Sequence, residues 1–218
     1  MVKNIRAIIL SIQKAVGHLR VEWHQGLSVF QLLIGTVLSA RTRDENTDKA
    51  VKSLFAKYET PRKLASASLS EIRKLIKPTN FYKSKAIRIK RLSKILLQKY
   101  DGKVPRSREE LIKLPGVGPK VSAIVMAYGF KSNIAIPVDV HVHRVSNRIG
   151  IVKTKAPEKT ELALMKKIPK KYWLDLNELF VLFGQNICKP RVPLCSKCPI
   201  TRYCHYYATS CLKRGLCK

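Results

Sequence analysis

The segment Leu114-Pro-Gly-Val-Gly-Pro-Lys120 limits the folds open to this chain more than any other part of its sequence. The capping-box pattern Ser107-x-x-Glu110 predicts a helix that ends near residue 114, and Pro119 suits the first position of a second helix. The two glycines allow backbone angles that other residues avoid, and they let a ligand approach the backbone closely. We therefore predict two helices joined by a tight turn over 107–129, with N–H groups at the start of the second helix that suit a phosphate.

The charge of the chain points to a polyanionic partner. The sequence has 43 Lys and Arg against 14 Asp and Glu, which gives a formal net charge of +29. Repulsion within so basic a chain destabilises its compact state, and binding to nucleic acid would offset that cost. The alternative is a lysine-rich surface without such a partner. Because 45% of the residues are apolar, a folded core is expected and a wholly disordered basic tail is excluded.

Helix signals dominate the rest of the sequence. Thr42-x-x-Glu45 and Ser68-x-x-Glu71 repeat the capping-box pattern, Thr60–Pro61 is an N-cap followed by proline, and Gly150 is placed as a helix stop. Strand-like alternation is short and isolated, so an all-α fold is predicted. The predicted helices lie near 2–18, 27–40, 43–57, 61–66, 69–76, 82–99, 107–114, 119–129, 140–149, 157–168 and 171–186.

All six cysteines lie after residue 187, and four of them have the spacing Cys188-x6-Cys195-x2-Cys198-x5-Cys204. Such crowding is typical of a metal or cluster site in a reducing compartment, because disulfide frameworks usually extend across a secreted chain. Four thiolates at this spacing suit either an iron–sulfur cluster or a zinc ion. Cys211 and Cys217 fall outside the pattern, and the sequence leaves open whether they are free thiols or a disulfide.

A second motif, Pro137-Val-Asp-Val-His-Val-His-Arg-Val145, places Asp139 nineteen residues after Lys120. Together with LPGVGPK it resembles the helix–hairpin–helix, Gly/Pro-rich loop, aspartate superfamily of DNA glycosylases. The lysine after the hairpin resembles endonuclease III in particular, since relatives limited to base removal carry another residue there. The resemblance covers about residues 5–205. It implies a base-excision repair DNA N-glycosylase with AP-lyase activity, which removes damaged, oxidised pyrimidines from duplex DNA and cleaves 3′ to the abasic site by β-elimination.

The resemblance makes Lys120 and Asp139 the catalytic pair. Lys120 would supply the amine that attacks C1′ of the deoxyribose and forms a Schiff base with the opened sugar. The imine acidifies the C2′ proton, which permits β-elimination of the 3′ phosphate. Asp139 would stabilise the positive charge of the sugar in the transition state. The residues alone leave two plainer alternatives, a solvated surface lysine at 120 and an ordinary helix N-cap at 139.

The spacing of the four clustered cysteines also matches the iron–sulfur loop of endonuclease III relatives. The resemblance therefore implies that these four thiolates are the metal ligands of a 4Fe–4S cluster. The cluster would order the loop 188–204, so that Lys189 and Arg191 meet DNA phosphates. The alternative for this site is a DNA-binding protein that holds zinc.

Three further parts of the sequence are predicted to contact DNA. Gly116 and Gly118 would bring the hairpin backbone to a phosphate. The segment 33–44 resembles the helix and loop that border the lesion pocket in the family, with Arg41 in place of a glutamine common there. Phe81 falls where relatives insert an apolar wedge into the base stack beside a flipped base. The alternatives are a surface cation at 41 and a core aromatic at 81.

The resemblance implies a two-lobed helix–hairpin–helix DNA glycosylase fold, with one lobe over 20–132 and the other formed by 1–19 with 133–218. A monomer that binds duplex DNA with a damaged base or an abasic site is expected. No apolar run reaches the ~20 residues of a membrane span and no signal-peptide pattern begins the chain, so an intracellular, cytoplasmic or nucleoid-associated protein is expected. Two other functions stay open: a mismatch-specific glycosylase without lyase activity, which Lys120 disfavours, and a DNA-binding module without catalysis.

Overall fold

The computed structural model describes residues 4–19 and 26–211, and every regular element in those two ranges is helical. The all-α fold predicted from the sequence is confirmed. Within these ranges the α-helices are α1 (Ile5–Val16), α2 (Val29–Ser39), α3 (Asp44–Phe55), α4 (Pro61–Ser66), α5 (Leu69–Leu75), α6 (Tyr82–Tyr100), α7 (Arg108–Ile112), α8 (Pro119–Ile124), α9 (Val140–Ile149), α10 (Pro157–Lys167) and α11 (Trp173–Asn186). A π-helical turn over Val125–Gly129 continues α8 to its predicted end. Residues 2, 3 and 20, where a predicted helix and a predicted lobe begin, lie outside the described ranges.

The chain divides into two compact units. The hairpin unit is Glu22–Lys131, and the cysteine unit joins Met1–Val21 to Ser132–Lys218. In the hairpin unit, α6 packs against α2, α4 and α5. Its buried residues recur every three or four positions, as Ile89, Leu92 and Leu96 do, which is the pattern of a helix that faces a core on one side.

Three predicted helix caps are confirmed and one is wrong. The hydroxyls of Thr60, Ser68 and Ser107 each accept a hydrogen bond from the backbone N–H three residues further on, which satisfies a donor that the helix leaves unpaired. The prediction at Thr42 fails because α3 has Arg43 at its N-cap, and that side chain forms no cap bond. The Thr42 hydroxyl instead accepts hydrogen bonds from Asn80 and Lys85, about 40 residues further along the chain.

In the cysteine unit, α11 packs against α1 and α9, and Phe180 and Phe183 are fully buried in the core. The segment that leads into α9 is bound to α11, because the Asn177 side chain donates to the carbonyl of Pro137 at 2.9 Å. The helix ends as predicted at Gly150, whose φ of +91° is the left-handed conformation of a glycine C-cap. Within the described ranges, no helix combines the length and apolar character that crossing a membrane would require.

Candidate functional site

The hairpin between α7 and α8 is anchored by apolar side chains, since Leu114 and Val117 are buried in the core of the hairpin unit. Gly116 has a φ of +83°, and a Cβ added there would lie 3.3 Å from the side chain of Val37. Both the backbone and the packing therefore favour glycine at 116. Gly118 has a φ of −103°, and a Cβ added there would meet no protein atom within 4 Å. The space beside Gly118 is therefore open to an approaching ligand.

Lys120, the predicted nucleophile, is exposed in the first turn of α8. The turn that carries it is braced from α7, because the Arg108 guanidinium donates to the Ser122 hydroxyl and to the Pro119 carbonyl, both at 3.3 Å. The amine is thus presented to solvent on a backbone that is fixed on both sides of the hairpin.

Arg41 and Phe81, the predicted lesion-reading residues, share two unusual properties. Their φ angles of 54° and 58° lie in the left-handed region, which costs residues other than glycine roughly 1–2 kcal/mol. Both side chains are also exposed, that of Phe81 at 61% of its surface. The alternative of a core aromatic at 81 is therefore wrong. Strained residues of this kind persist only where the surrounding structure enforces them, and they are frequent at functional sites.

Sequence reasoning missed the residue that links these two strained positions. Lys85 lies in α6 with only 3% of its surface exposed. Its ammonium donates to the carbonyl oxygens of Leu38 at 2.6 Å and Ala40 at 2.8 Å. It also donates to Thr42 Oγ1 at 2.8 Å. Burial of the ammonium, together with repulsion from Arg88, lowers the pKa of Lys85 from 10.5 to about 8.

Asp139 is the N-cap of α9, as the plainer alternative predicted. Its Oδ1 accepts hydrogen bonds from the backbone N–H groups of His141 at 2.9 Å and Val142 at 2.8 Å. The side chain is half-buried, and the next residue, Val140, is 66% exposed. The cap holds the carboxylate in one orientation at the surface of the cysteine unit, which is compatible with a catalytic role. Lys120 belongs to the hairpin unit, so the two predicted catalytic residues are carried by different units.

Two arginines of α9, both missed by sequence reasoning as structural supports, bind the helix to the cysteine loop. Arg144 donates to the carbonyl of Gly184 at 2.9 Å and to that of Cys188 at 3.0 and 3.2 Å, and burial lowers its pKa. Arg148 donates to the carbonyls of Lys189 at 2.7 Å and Pro190 at 2.6 Å. The helix that begins at Asp139 is therefore attached to the loop that carries the first clustered cysteine.

The four clustered cysteines line one cavity together and are free of disulfide bonds. Burial raises the pKa of the thiols of Cys195, Cys198 and Cys204, that of Cys198 to about 11. Within the described ranges, no three or more His, Cys, Asp or Glu side chains are grouped so that they could hold a metal ion. Cys211 is buried and disulfide-bonded, and Cys217 lies outside the described residues.

Four cysteine thiols that share one cavity can serve as ligands of an iron–sulfur cluster or of a zinc ion. Lys189 and Arg191, the predicted phosphate contacts of this loop, are both exposed.

Three comparisons relate the chain to known proteins. Residues 34–170 match the family described as HhH-GPD superfamily base excision DNA repair protein. The endonuclease III of Thermotoga maritima is 52% identical to the chain over 184 residues, which are 84% of this chain and 86% of that protein. A solved structure of a non-covalent endonuclease III–DNA complex has a TM-score of 0.89 and 35% identity, and it covers 98% of this chain and 100% of that one. A trapped endonuclease III–DNA covalent intermediate has a TM-score of 0.85 and 36% identity, and it covers 95% and 98%.

Proposed function

Since the chain belongs to the endonuclease III family of the HhH-GPD superfamily of base excision DNA repair proteins, we propose that it is a DNA N-glycosylase with AP-lyase activity. It removes damaged, oxidised pyrimidines from duplex DNA and cleaves the strand 3′ to the abasic site. The observation that carries the proposal is the exposed amine of Lys120, fixed in the first turn of α8 beside the open face of Gly118. A glycosylase without lyase activity, or a module that only binds DNA, has no use for an amine at this place.

Lys120 is the nucleophile of the proposed reaction. Its neutral amine attacks C1′, the bond from C1′ to the base breaks, and the base leaves with the electron pair and takes up a proton. The C1′–O4′ bond then opens to give a Schiff base between C1′ and Nζ. Loss of the C2′ proton to a proton acceptor expels the 3′ phosphate and completes β-elimination. Water then hydrolyses the Schiff base and frees Lys120. The amine gives up a proton as it attacks, which balances the proton that the departing base takes up, and O4′ takes a proton as the ring opens. The steps therefore need only the amine, water and groups that exchange protons.

Asp139 is the proposed counter-charge. The sugar carries positive charge while the base departs, and a carboxylate that is already oriented stabilises that charge without having to reorganise. The two N–H bonds to its Oδ1 supply this orientation. A side chain that caps a helix therefore also serves the chemistry, and the two alternatives for Asp139 are compatible.

The DNA contacts follow the same division into units. In the hairpin unit, the backbone at Gly116 and Gly118 approaches a phosphate, and Arg41 and Phe81 enter the base stack beside the flipped nucleotide. In the cysteine unit, Lys189 and Arg191 bind phosphates. We also propose that the chain has the two predicted lobes, 20–132 and 1–19 with 133–218. It would act on duplex DNA as a monomer, in the cytoplasm or at the nucleoid.

The four clustered cysteines fit a 4Fe–4S cluster, which we propose as the resident cofactor. The fit rests on four free thiols that line one cavity. When bound, the cluster would cross-link the loop 188–204 through its thiolates. The protein also holds this loop without the cluster, because Arg148 of α9 donates to the carbonyls of Lys189 and Pro190.

Reductive trapping tests the proposed function. Incubation of the wild-type protein with an abasic or thymine-glycol duplex and borohydride should yield a covalent protein–DNA adduct, and Lys120→Ala should yield none. Lys113→Ala is the matched control, because Lys113 is an exposed lysine of the same hairpin whose ammonium pairs with Glu110. An adduct that persists in Lys120→Ala, or a wild-type protein that never forms one, would overturn the assignment.

The cofactor is tested separately by spectroscopy and metal analysis. The purified protein should absorb near ~400 nm and contain iron and acid-labile sulfide, as 4Fe–4S proteins do. Replacement of Cys198 by serine should remove this absorption. Stoichiometric zinc without the absorption would contradict the cluster and favour the alternative.

A further inference from the structure

In the hairpin unit, the side chains that hold Arg41 and Phe81 in place have no part in the function proposed so far. The wedge junction, defined as residues 38–42 and 80–85, joins the end of α2 to the start of α6 and carries both strained, exposed residues, Arg41 and Phe81. At its centre lies a buried ammonium, that of Lys85. The role that we infer for this junction rests on the proposed function, because it concerns how the damaged base is moved out of the duplex before it is excised.

The loop that carries Arg41 is bound to the turn that carries Phe81 at three consecutive residues. The Ala40 carbonyl accepts from Lys85 at 2.8 Å, and the Arg41 carbonyl accepts from Asn80 Nδ2 at 2.5 Å. Thr42 Oγ1 accepts from both sides of the turn, from the backbone N–H of Asn80 at 3.1 Å and from Lys85 at 2.8 Å. Neither strained residue can therefore relax without breaking bonds to the other's segment.

The Lys85 ammonium is fully used by this junction. Its three donors meet three acceptors, two of which are carbonyls at the C-terminal end of α2, where a positive charge is favoured by the helix dipole. Burial of the charge still has a cost, which shows in the lowered pKa of the group. A side chain that only filled space at this place would be apolar and would avoid that cost. Unlike an apolar side chain, the ammonium of Lys85 forms hydrogen bonds that join the segment 80–85 to the segment 38–42.

We propose that Lys85 is a positioning residue for base displacement, which fixes Arg41 and Phe81 relative to each other so that they enter the duplex as one rigid wedge. The hydrogen bonds that define this junction involve neither Lys120 nor Asp139. Loss of Lys85 should therefore impair reactions that need a base to be taken out of a duplex, and should impair much less those that begin from an abasic sugar in a single strand.

The test compares Lys85→Met with Lys90→Met in the full-length holoprotein. Lys90 is a matched control, because it lies in the same helix and its ammonium also donates to a backbone carbonyl, that of Ala67, away from the junction. Three quantities are measured: single-turnover excision of thymine glycol from a duplex, the fluorescence of a 2-aminopurine placed beside the lesion, and borohydride trapping on a single-stranded abasic oligonucleotide. Circular dichroism below the melting temperature establishes that each variant is folded.

Lys85→Met should lower duplex excision by about 10- to 100-fold, since a displacement of about 1 Å at a positioning site has effects of that size. It should also abolish most of the rise in 2-aminopurine fluorescence that reports an unstacked neighbour. Single-strand trapping should fall by a far smaller factor, and Lys90→Met should show no such split. A merely structural role would lower excision and trapping by one common factor, and that result, or unchanged duplex excision, would overturn the proposal.

A second variant keeps the proposal testable if Lys85→Met does not fold. Asn80 is exposed, so Asn80→Ala removes only the side-chain bond to Arg41 and leaves the buried ammonium in place. It should show the same split between duplex excision and single-strand trapping, at a smaller size. Failure of the wild-type protein to form any trapped adduct would instead refute the proposed function. Wild-type trapping without the split in either variant would refute only the role of Lys85.

Discussion

The hairpin and the wedge junction both present exposed groups on a sharply turned backbone, but they hold that backbone in different ways. In the hairpin the left-handed residue is Gly116, for which a positive φ carries no steric cost. In the junction the left-handed residues are Arg41 and Phe81, and hydrogen bonds between segments 38 to 47 residues apart offset their strain. The hairpin is thus encoded locally and the junction by tertiary contacts. The two regions should respond differently to substitution.

Asp139, like the hairpin, is held by contacts within a few residues of the chain. Its substitution should have the largest effect on base excision. Asp139→Asn keeps an N-cap of equal quality but removes the charge, so the melting temperature should stay nearly unchanged. Excision should fall by about 100- to 1,000-fold, the usual size when one preorganised electrostatic contact to a transition state is lost. Single-turnover kinetics and thermal unfolding, measured on the same preparation, check both parts. A variant that unfolds early but excises normally would show that Asp139 is a cap alone.

The exposed wedge should come next in size. Phe81→Ala removes an aromatic ring whose stacking on a base is worth about 1–3 kcal/mol, so duplex excision should fall by about tenfold. Leu162→Ala is the matched control, because Leu162 is equally exposed, at 61%, but lies on α10 in the cysteine unit. Excision of thymine glycol under single-turnover conditions is the measurement. Equal effects of the two substitutions would mean that Phe81 contributes only general apolar surface.

Substitution of the two glycines of the hairpin should affect two different quantities, the free energy of unfolding at Gly116 and the affinity for DNA at Gly118. Gly116→Ala meets both a positive φ and the side chain of Val37, and should lower the free energy of unfolding by about 1–2 kcal/mol. Gly118→Ala meets no protein atom, so stability should change by less than about 0.5 kcal/mol while affinity for an abasic duplex falls. Denaturant unfolding and a fluorescence-anisotropy titration measure the two quantities. If Gly118→Ala binds DNA as well as the wild type, the open space beside it is not a DNA contact.

The same contrast explains how far the sequence could be interpreted. Caps such as Ser107 and Thr60, and the helix stop at Gly150, depend on neighbours within a few residues, so patterns predicted them correctly. Thr42 matched a capping box equally well, but Lys85 and Asn80 take its hydroxyl, and no local pattern contains that competition. Lys85 itself is one of seven basic residues in the stretch 83–99, and it lies four residues before Ile89, on the buried face of α6. Helical periodicity alone could therefore have placed it on that face, but the acceptors of its ammonium lie in a distant segment. Contacts that join distant segments are therefore the part that a motif does not reveal.

The smallest effect should be on the pH dependence of the melting temperature, and it should appear when Lys85 of the junction is replaced but not when Gly118 of the hairpin is. Because the pKa of Lys85 is about 8 in the folded protein and near its ordinary 10.5 in the unfolded chain, between these values the unfolded chain holds a proton that the folded protein has released. Raising the pH through this window therefore favours the folded state. The melting temperature of the wild type minus that of Lys85→Met should increase between pH 7.5 and 10. Taking this difference cancels every titration that the two proteins share.

The rise should be several degrees, since the lowered pKa of Lys85 is worth about 2 kcal/mol over this window and a chain of this size gains about 2–4 °C per kcal/mol. Lys85 is the buried amine that this substitution removes, and the charge of Arg88 contributes to its lowered pKa. Gly118→Ala in the hairpin, where no buried charge is replaced, should keep a constant difference from the wild type over the same range. A flat profile for Lys85→Met would mean that its ammonium is not desolvated. The contrast between a hairpin held by glycine and a junction held by a buried cation would then fail.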